Sequence, residues 1–132
     1  MNLEIINIAA DTKNNRNIKN HTHYSKLKNS VCGDKIQIKL IIRNNNIIDF
    51  CYQTESCIYC QASASLLSKV SINSKKDEIN QLCKDVNSYF HKNEKINNKN
   101  LKLFSKLFKE ENMSRKECIL LPFKTLMNIV KS

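Results

Sequence analysis

Residues 35–54 carry the sequence pattern of a β-hairpin. In the first half, apolar residues alternate with polar ones, at Ile36, Ile38, Leu40 and Ile42. Such alternation predicts a half-buried strand of an antiparallel sheet. The asparagines at 44–46 predict the turn, because asparagine tolerates left-handed backbone angles. A second strand is therefore predicted over residues 47–54, with one face formed by Ile48, Phe50 and Tyr52.

After the hairpin, apolar residues recur at the spacing typical of α-helices. Apolar residues recur four apart at Ala62, Leu66 and Val70, which predicts a helix over residues 58–70. A second helix is predicted after Ser74, its candidate cap, with an apolar face that holds Ile79, Leu82, Cys83, Val86 and Phe90. A third amphipathic helix is predicted over residues 101–108.

The two ends of the chain carry weaker patterns. A final helix is predicted to begin near Leu121, because Pro122 fits only in the first turn, where its missing N–H is not needed. Residues 1–28 have little periodicity beyond a short helix that starts at Leu3 and packs on the body. The length of the chain predicts one domain over residues 1–132.

Composition argues against several classes of protein. No apolar run approaches the roughly 18 residues that a membrane span needs. No basic flank precedes an apolar stretch near the start, so we expect an intracellular, cytoplasmic protein with no membrane partner. The net charge of +10 raises the hypothesis of nucleic-acid binding. However, the basic residues are scattered along the chain, so nucleic acid is the least favoured partner.

The six cysteines carry most of the functional information. An intracellular compartment keeps thiols reduced, so these residues are core residues, metal ligands or reactive groups. Cys83 lies on the apolar face of its predicted helix and Cys51 within the second strand, which favours packing roles. Cys57 and Cys60 form a C-x-x-C pair, a spacing that binds zinc or carries out thiol–disulfide exchange.

Three cysteines stand apart because each adjoins a turn or a predicted helix start: Cys32, Cys57 and Cys118. Free backbone N–H groups and the helix dipole favour a thiolate at such positions. The hairpin turn would bring Cys57 back towards Cys32, and Asp34 follows Cys32 by two residues. Three thiolates and one carboxylate suit zinc, or iron in a cluster. Spacing alone leaves a shared metal site and separate structural cysteines as equal alternatives.

At these residues the sequence resembles the NifU/IscU-like family of iron–sulfur cluster assembly proteins. Residues 29–34 resemble the family's N-P-x-C-G-D segment, and residues 55–65 are similar to its E-G-C-x-x-S-x-A-S-x-S segment. Residues 115–123 resemble the R-x-K-C-x-x-L-x-W segment of the SufU branch. The resemblance covers roughly residues 14–130, with the three cysteine motifs in the family's order.

The resemblance implies an α+β fold, a small antiparallel β-sheet with helices packed on one face. It implies a site that receives sulfur from a cysteine desulfurase, made of Cys32, Asp34, Cys57 and Cys118. Family members build a transient [2Fe–2S] cluster for transfer to apo iron–sulfur proteins or, in SufU, bind zinc and relay persulfide sulfur. Carried over by position, Cys118 is the sulfur acceptor. Cys60 stands where the family has serine and is a further candidate metal ligand.

Two departures from the family pattern separate the hypotheses. Ser56 replaces the glycine before Cys57, which alters the backbone beside the metal. Glu117 stands where IscU-type scaffolds have histidine, which favours a SufU-type site. The first hypothesis, favoured over an enzyme, is a scaffold for iron–sulfur cluster assembly. The second is a zinc-dependent sulfurtransferase, and the third is a basic nucleic-acid-binding domain.

Overall fold

The computed structural model describes residues 3–30, 32–92 and 98–131. Within these ranges the strands are β1 (His23–Lys28), β2 (Lys35–Arg43) and β3 (Asn46–Glu55). They form one antiparallel sheet in the order β1-β2-β3. The α-helices are α1 (Leu3–Ala10), α2 (Ile58–Ser71), α3 (Lys76–Lys92) and α4 (Lys116–Val130). Two 3₁₀ helices, Lys99–Phe104 and Glu110–Arg115, lie between α3 and α4.

The predicted hairpin is confirmed as β2 and β3. Asn44 and Asn45 form its turn with φ of 52° and 64°, the left-handed angles that a tight two-residue turn requires. The predicted face of β3 is wrong at Ile48, whose side chain is 43% exposed while Ile47 is buried. The register shifts at this end of the hairpin, and the extra residue in β3 is a β-bulge. The bulge displaces the alternation by one residue.

The pattern of residues 1–28 does not reveal strand β1. Its side chains alternate between half-buried and exposed, but Leu27 is its one aliphatic residue. An edge strand with so few apolar positions lacks the alternation that identifies a strand in sequence. At the other edge of the sheet, the loop after α1 pairs with β3, because Arg16 donates its N–H to the Tyr52 carbonyl at 3.1 Å and Tyr52 donates to the Asn14 carbonyl at 3.0 Å.

Helices α2 and α4 pack against the sheet and against each other, and α1 packs on α2. This arrangement confirms the predicted α+β fold. The predicted short N-terminal helix is present as α1, with Ile5 and Ala9 buried. The predicted apolar face of α3 is also confirmed, with Phe90 at its half-buried edge. Among the described residues, no helix combines the length and the hydropathy that crossing a membrane would require.

Buried serines connect α2 to its neighbours. Ser63 donates its hydroxyl to the Ile119 carbonyl of α4 at 2.7 Å, and Ser65 donates to the Asp11 carbonyl at 2.9 Å. These bonds satisfy hydroxyls that would otherwise be costly to bury. The predicted apolar positions of α2 are only partly correct: Ala62 is buried, whereas Leu66 and Val70 are half-buried.

The third predicted helix is not an α-helix. Residues 99–104 form a 3₁₀ helix, and turns follow it that bury Leu107 and Phe108. Asn98 caps this segment by accepting the N–H of Asn100 at 2.9 Å, while Asn97 lies outside the described residues. Apolar residues at 101, 104 and 107 are three apart, a spacing that also fits the three residues per turn of a 3₁₀ helix.

Helix α4 begins at Lys116, five residues before the predicted start. Pro122 therefore lies inside the helix, not in its first turn. A proline at this position has no N–H to donate to the Cys118 carbonyl, four residues earlier. The prediction fails because the helix tolerates the loss of this one bond. As a result Cys118 belongs to the first turn of α4 and does not precede the helix.

Candidate metal centre

The loop between β1 and β2 positions two of the predicted site residues, Cys32 and Asp34. Gly33 donates its N–H to the Asn29 carbonyl at 2.8 Å, and Asn29 donates to the Asp34 carbonyl at 2.7 Å. Gly33 has a φ of +79°, a left-handed angle that costs a residue with a side chain roughly 1–2 kcal/mol. The glycine thus allows the chain to turn between the thiol and the carboxylate. Val31 lies outside the described residues.

Cys57 is the N-cap residue of α2, with extended backbone angles. Its backbone N–H donates to Asp34 Oδ1 at 3.3 Å, and its thiol lies 3.6 Å from Asp34 Oδ2. Asp34 is 7% exposed, so a nearly buried carboxylate holds the start of α2 through two contacts to one residue. The hairpin does return Cys57 to the β1–β2 loop, as its pattern predicts.

Helix α4 contributes the third thiol of the site. Cys118 Sγ lies 3.9 Å from Cys32 Sγ. One ligand atom each from Cys32, Asp34 and Cys118 lie within 4.8 Å of one another, a grouping compatible with a single metal ion. Cys57 joins this group through its contacts with Asp34. The structure therefore brings together all four residues that the resemblance implies, from three separate parts of the chain.

The site combines exposed and buried donors. Cys32 is exposed and Cys57 half-buried, whereas Cys118 is 5% exposed. Burial raises the pKa of the Cys118 thiol far above its ordinary value, and the nearby Cys57 thiol and Asp34 carboxylate raise this pKa further. The expectation of a thiolate stabilised by the helix start is thus wrong for Cys118 in the metal-free site. A cation bound among these groups would offset the repulsion that keeps the thiol protonated.

Cys60 lies behind the site, fully buried in the first turn of α2. Burial raises the pKa of its thiol to about 12, the charges of Asp34 and Cys57 act in the same direction, and hydrogen bonds with Ser56 and Thr54 lower it. Its proposed role as a fifth ligand stays a prediction.

The other two cysteines have the packing environments that the sequence predicts. Cys83 is buried in the hydrophobic core, and burial raises the pKa of its thiol to about 12. Cys51 is also buried, in β3 beside the loop that carries Arg16, and burial raises the pKa of its thiol. Neither belongs to the group of candidate metal ligands found among the described residues.

Sequence reasoning misses one contact beside the site. The Arg115 guanidinium lies over the Tyr59 ring, 5.7 Å from its centroid, in a cation–π arrangement. Arg115 is the N-cap of α4, and Tyr59 lies in the first turn of α2. The pair therefore joins the two helix starts that supply thiols. Arg115 falls within the SufU-like segment, which is a signal for it, but nothing in the sequence marks Tyr59.

The fold and this site define a small α+β protein in which three thiols and a carboxylate converge. The sequence profile of the NifU-like N terminal domain family matches residues 2–103, and the chain belongs to this family. An uncharacterized protein of Borreliella burgdorferi is 36% identical over 120 residues, which covers 90% of this chain and 82% of that protein.

Solved structures share the fold. One is described as a candidate iron–sulfur cluster assembly scaffold protein for the SUF system of Fervidobacterium islandicum AW-1, with a TM-score of 0.89 and 21% identity. The alignment covers 98% of this chain and 96% of that one. A NifU-like protein (N-terminal) from Brucella abortus has a TM-score of 0.86 and 18% identity, with 98% and 91% of the two chains covered.

Proposed function

We propose that this protein is a scaffold on which iron and sulfur are assembled into a transient [2Fe–2S] cluster for apo iron–sulfur proteins. The observation that carries the proposal is the convergence of Cys32, Asp34 and Cys118 within 4.8 Å, with Cys57 in contact with Asp34. Membership of the NifU-like N terminal domain family supports the same role. The proposal assigns all four residues as cluster ligands.

The mixture of donors suits temporary binding. Thiolates are the ligands that hold iron–sulfur clusters, and a carboxylate is a harder oxygen donor. Asp34 thus supplies one oxygen ligand among sulfur ligands. This weaker match to the cluster favours its release to another protein. Cys32 is the exposed member of the set, so an incoming or outgoing group would meet this thiol first.

Sulfur would come from a cysteine desulfurase, with Cys118 as the proposed acceptor. The Cys118 thiol lies 3.9 Å from the thiol of Cys32, which is exposed. Sulfur bound at Cys118 would therefore be separated from solvent by a single side chain. Because the thiolate is the nucleophile, the raised pKa of Cys118 implies that acceptance is faster once a cation occupies the site.

An anaerobic reconstitution tests the proposal. The protein is supplied with iron, cysteine and a purified cysteine desulfurase, while visible absorption records cluster formation and mass spectrometry locates persulfides. We expect cluster bands for the wild type, and neither bands nor a persulfide at residue 118 for Cys118→Ser. Cys51→Ser is the matched control, because it makes the same chemical change at a buried cysteine outside the site. A wild type that forms neither product would overturn the proposal.

The second candidate is a zinc-dependent sulfurtransferase that uses the same residues. Three sulfurs and one oxygen make a four-ligand set that suits tetrahedral zinc, and Glu117 provides no histidine beside Cys118. Zinc bound there would hold its thiol ligands deprotonated. Metal analysis of freshly purified protein separates the candidates. Stoichiometric zinc that resists a chelator, together with faster desulfurase turnover, favours the sulfurtransferase.

A further inference from the structure

Cys57 and Cys60 differ sharply in environment although they lie on the same helical turn. Cys57 is the half-buried N-cap of α2 and contacts the site carboxylate, Asp34. Cys60, three residues later, is fully buried. This order, an accessible cysteine at a helix start followed by a shielded one, is the arrangement by which a C-x-x-C pair performs thiol–disulfide exchange.

Cys60 also differs from Cys83, the other fully buried cysteine with a pKa of about 12. Burial alone accounts for the environment of Cys83. Burial is also the largest cause for Cys60, but interactions with Ser56 and Thr54 lower the pKa of its thiol, and the charges of Asp34 and Cys57 raise it. The two hydroxyls are themselves linked at 2.7 Å. Cys60 is therefore close to polar and charged groups of the site, whereas burial is the one cause that acts on Cys83.

We propose that Cys60 is a resolving thiol that reduces sulfane sulfur held on Cys57 to sulfide. Sulfur reaches Cys57 directly or from the neighbouring Cys118, whose outer persulfide sulfur the Cys57 thiolate attacks, leaving a Cys118 thiol. The Cys60 thiolate then attacks Cys57 Sγ in the Cys57–S–SH persulfide. The Cys57–Cys60 disulfide forms, the Sγ–S bond breaks, and the outer sulfur leaves as HS⁻.

The electrons balance within the protein. The sulfane sulfur gains two electrons and becomes sulfide, while Cys57 and Cys60 lose two in forming the disulfide. The Cys60 thiol loses its proton to water before the attack, and the departing HS⁻ can take up a proton from water in turn. A dithiol reductant then restores both thiols by ordinary thiol–disulfide exchange. The inference rests on the proposed function, because that function requires sulfur to arrive at the site and to enter a cluster as sulfide.

The geometry allows this disulfide with a small movement. Residues three apart on a helix have Cβ atoms about 5–6 Å apart, against about 3.5–4.5 Å in a disulfide. Cys57 is the cap residue with extended backbone angles, φ −71° and ψ 168°, and its carbonyl accepts the first helical hydrogen bond, from the Gln61 N–H at 3.1 Å. Because this bond is at the very start of α2, Cys57 can move towards Cys60 while the rest of the helix stays hydrogen-bonded.

The experiment uses the complete, metal-free and fully reduced chain with sodium polysulfide as the sulfur donor, under argon and without added reductant. Because loading a thiol from polysulfide itself releases sulfide, excess polysulfide and sulfide are first removed by rapid desalting, and the sulfide that the loaded protein then releases is measured colorimetrically against a protein-free blank. Samples are then alkylated, and chymotrypsin is used because it cleaves after Tyr59. A Cys57–Cys60 disulfide therefore joins two peptides that separate on reduction, and mass spectrometry detects them.

We expect the wild type to release sulfide and to yield the linked peptides. Cys60→Ser should release no sulfide above the blank and should retain a persulfide on Cys57 or Cys118. Cys51→Ser, a change of the same kind at a buried cysteine away from the site, should behave as the wild type. Cys60→Ala serves as a second variant if the serine prevents folding, and circular dichroism checks both.

Two results overturn the inference and can be told apart. If the wild type keeps its persulfide as long as Cys60→Ser does, Cys60 has no resolving role, and the proposed function stands. If the wild type and all variants neither carry a persulfide nor release sulfide, the site does not accept sulfur. The inference and the proposed function then both fail.

Discussion

The starts of α2 and α4 each supply one thiol to the site, but they do so differently. Cys57 stands at the cap of α2, half-buried, with its backbone N–H bound by Asp34. Cys118 is the third residue of α4 and nearly buried, and its thiol pKa is raised by burial and by its neighbours. One sequence pattern, a cysteine at the start of an apolar helical run, thus yields two environments.

The difference shows that the exact position of a cysteine at a helix start, at the cap or within the first turn, decides the environment of its thiol. At the cap, a cysteine remains accessible and is oriented by a partner from another loop. Within the first turn, the packing of α4 against the sheet removes the thiol from water, and desolvation outweighs the favourable helix dipole. A metal ion would reverse this balance for Cys118. Three measurements can sharpen or break the comparison.

The largest effect is expected from Cys57→Ser on zinc affinity. If Cys57 is a ligand in spite of its different position, its loss should weaken binding by more than about 100-fold, beyond the range seen for second-shell changes. Competition with a chromophoric chelator measures the affinity. Cys118→Ser should show a similar loss, and Cys51→Ser none. Full affinity in Cys57→Ser would mean that only the three closely grouped donors bind, and that the two helix starts are not equivalent.

A second effect concerns the pH dependence of folding. The Cys118 pKa is raised above the ordinary value near 9, so the folded state keeps a proton that the unfolded chain releases. Its contribution to stability is therefore complete below pH 9 and is lost as the pH rises further, by at most about 1.4 kcal/mol per pH unit. Urea unfolding of the metal-free protein between pH 8 and pH 10.5 measures this slope.

Cys118→Ser should flatten that slope. Cys60 and Cys83 have raised pKa values in every variant, so a residual slope of the same sign remains. Parallel slopes for the wild type and Cys118→Ser would show that Cys118 is not desolvated, and the contrast between the helix starts would disappear.

The smallest effect is expected from the contact that joins the two helix starts. Tyr59→Leu removes the ring under Arg115 and should lower the free energy of unfolding by about 0.5–1 kcal/mol. Tyr59→Phe keeps the ring face and is the matched control. Chemical denaturation at low and high salt measures both variants. Equal stability of the leucine and phenylalanine variants would show that the cation–π pair does not couple α2 to α4.

Much of the fold could be predicted because its central elements have strong periodicity. The hairpin around Asn44 and Asn45 and the buried face of α3 follow directly from apolar spacing and turn chemistry. The bulge that buries Ile47 and exposes Ile48 could not be predicted, since nothing local distinguishes the two isoleucines. Strand β1 was likewise hidden because its pairing with β2, and not its own composition, makes it a strand.

The resemblance specifies the candidate site more fully than spacing does. Spacing alone leaves shared and separate cysteines as equal alternatives, and the motifs around Cys32, Cys57 and Cys118 favour one site. The pKa direction of Cys118 was missed because it depends on where α4 begins. Pro122 indicated a later start, and only the packing of the whole helix shows that α4 extends past it.

The bond from the Ser63 hydroxyl to the Ile119 carbonyl has a consequence for how accurately the thiols are spaced. Apolar contacts are non-directional, whereas a hydroxyl bonded to one particular carbonyl favours one alignment of the two helices. Moving α4 by one residue would displace Cys118 by about 1.5 Å along the axis and rotate it by about 100°. The fully buried Ser63 thus helps to fix the position of α4 along its axis, and the spacing of the thiols depends on a contact inside the protein core.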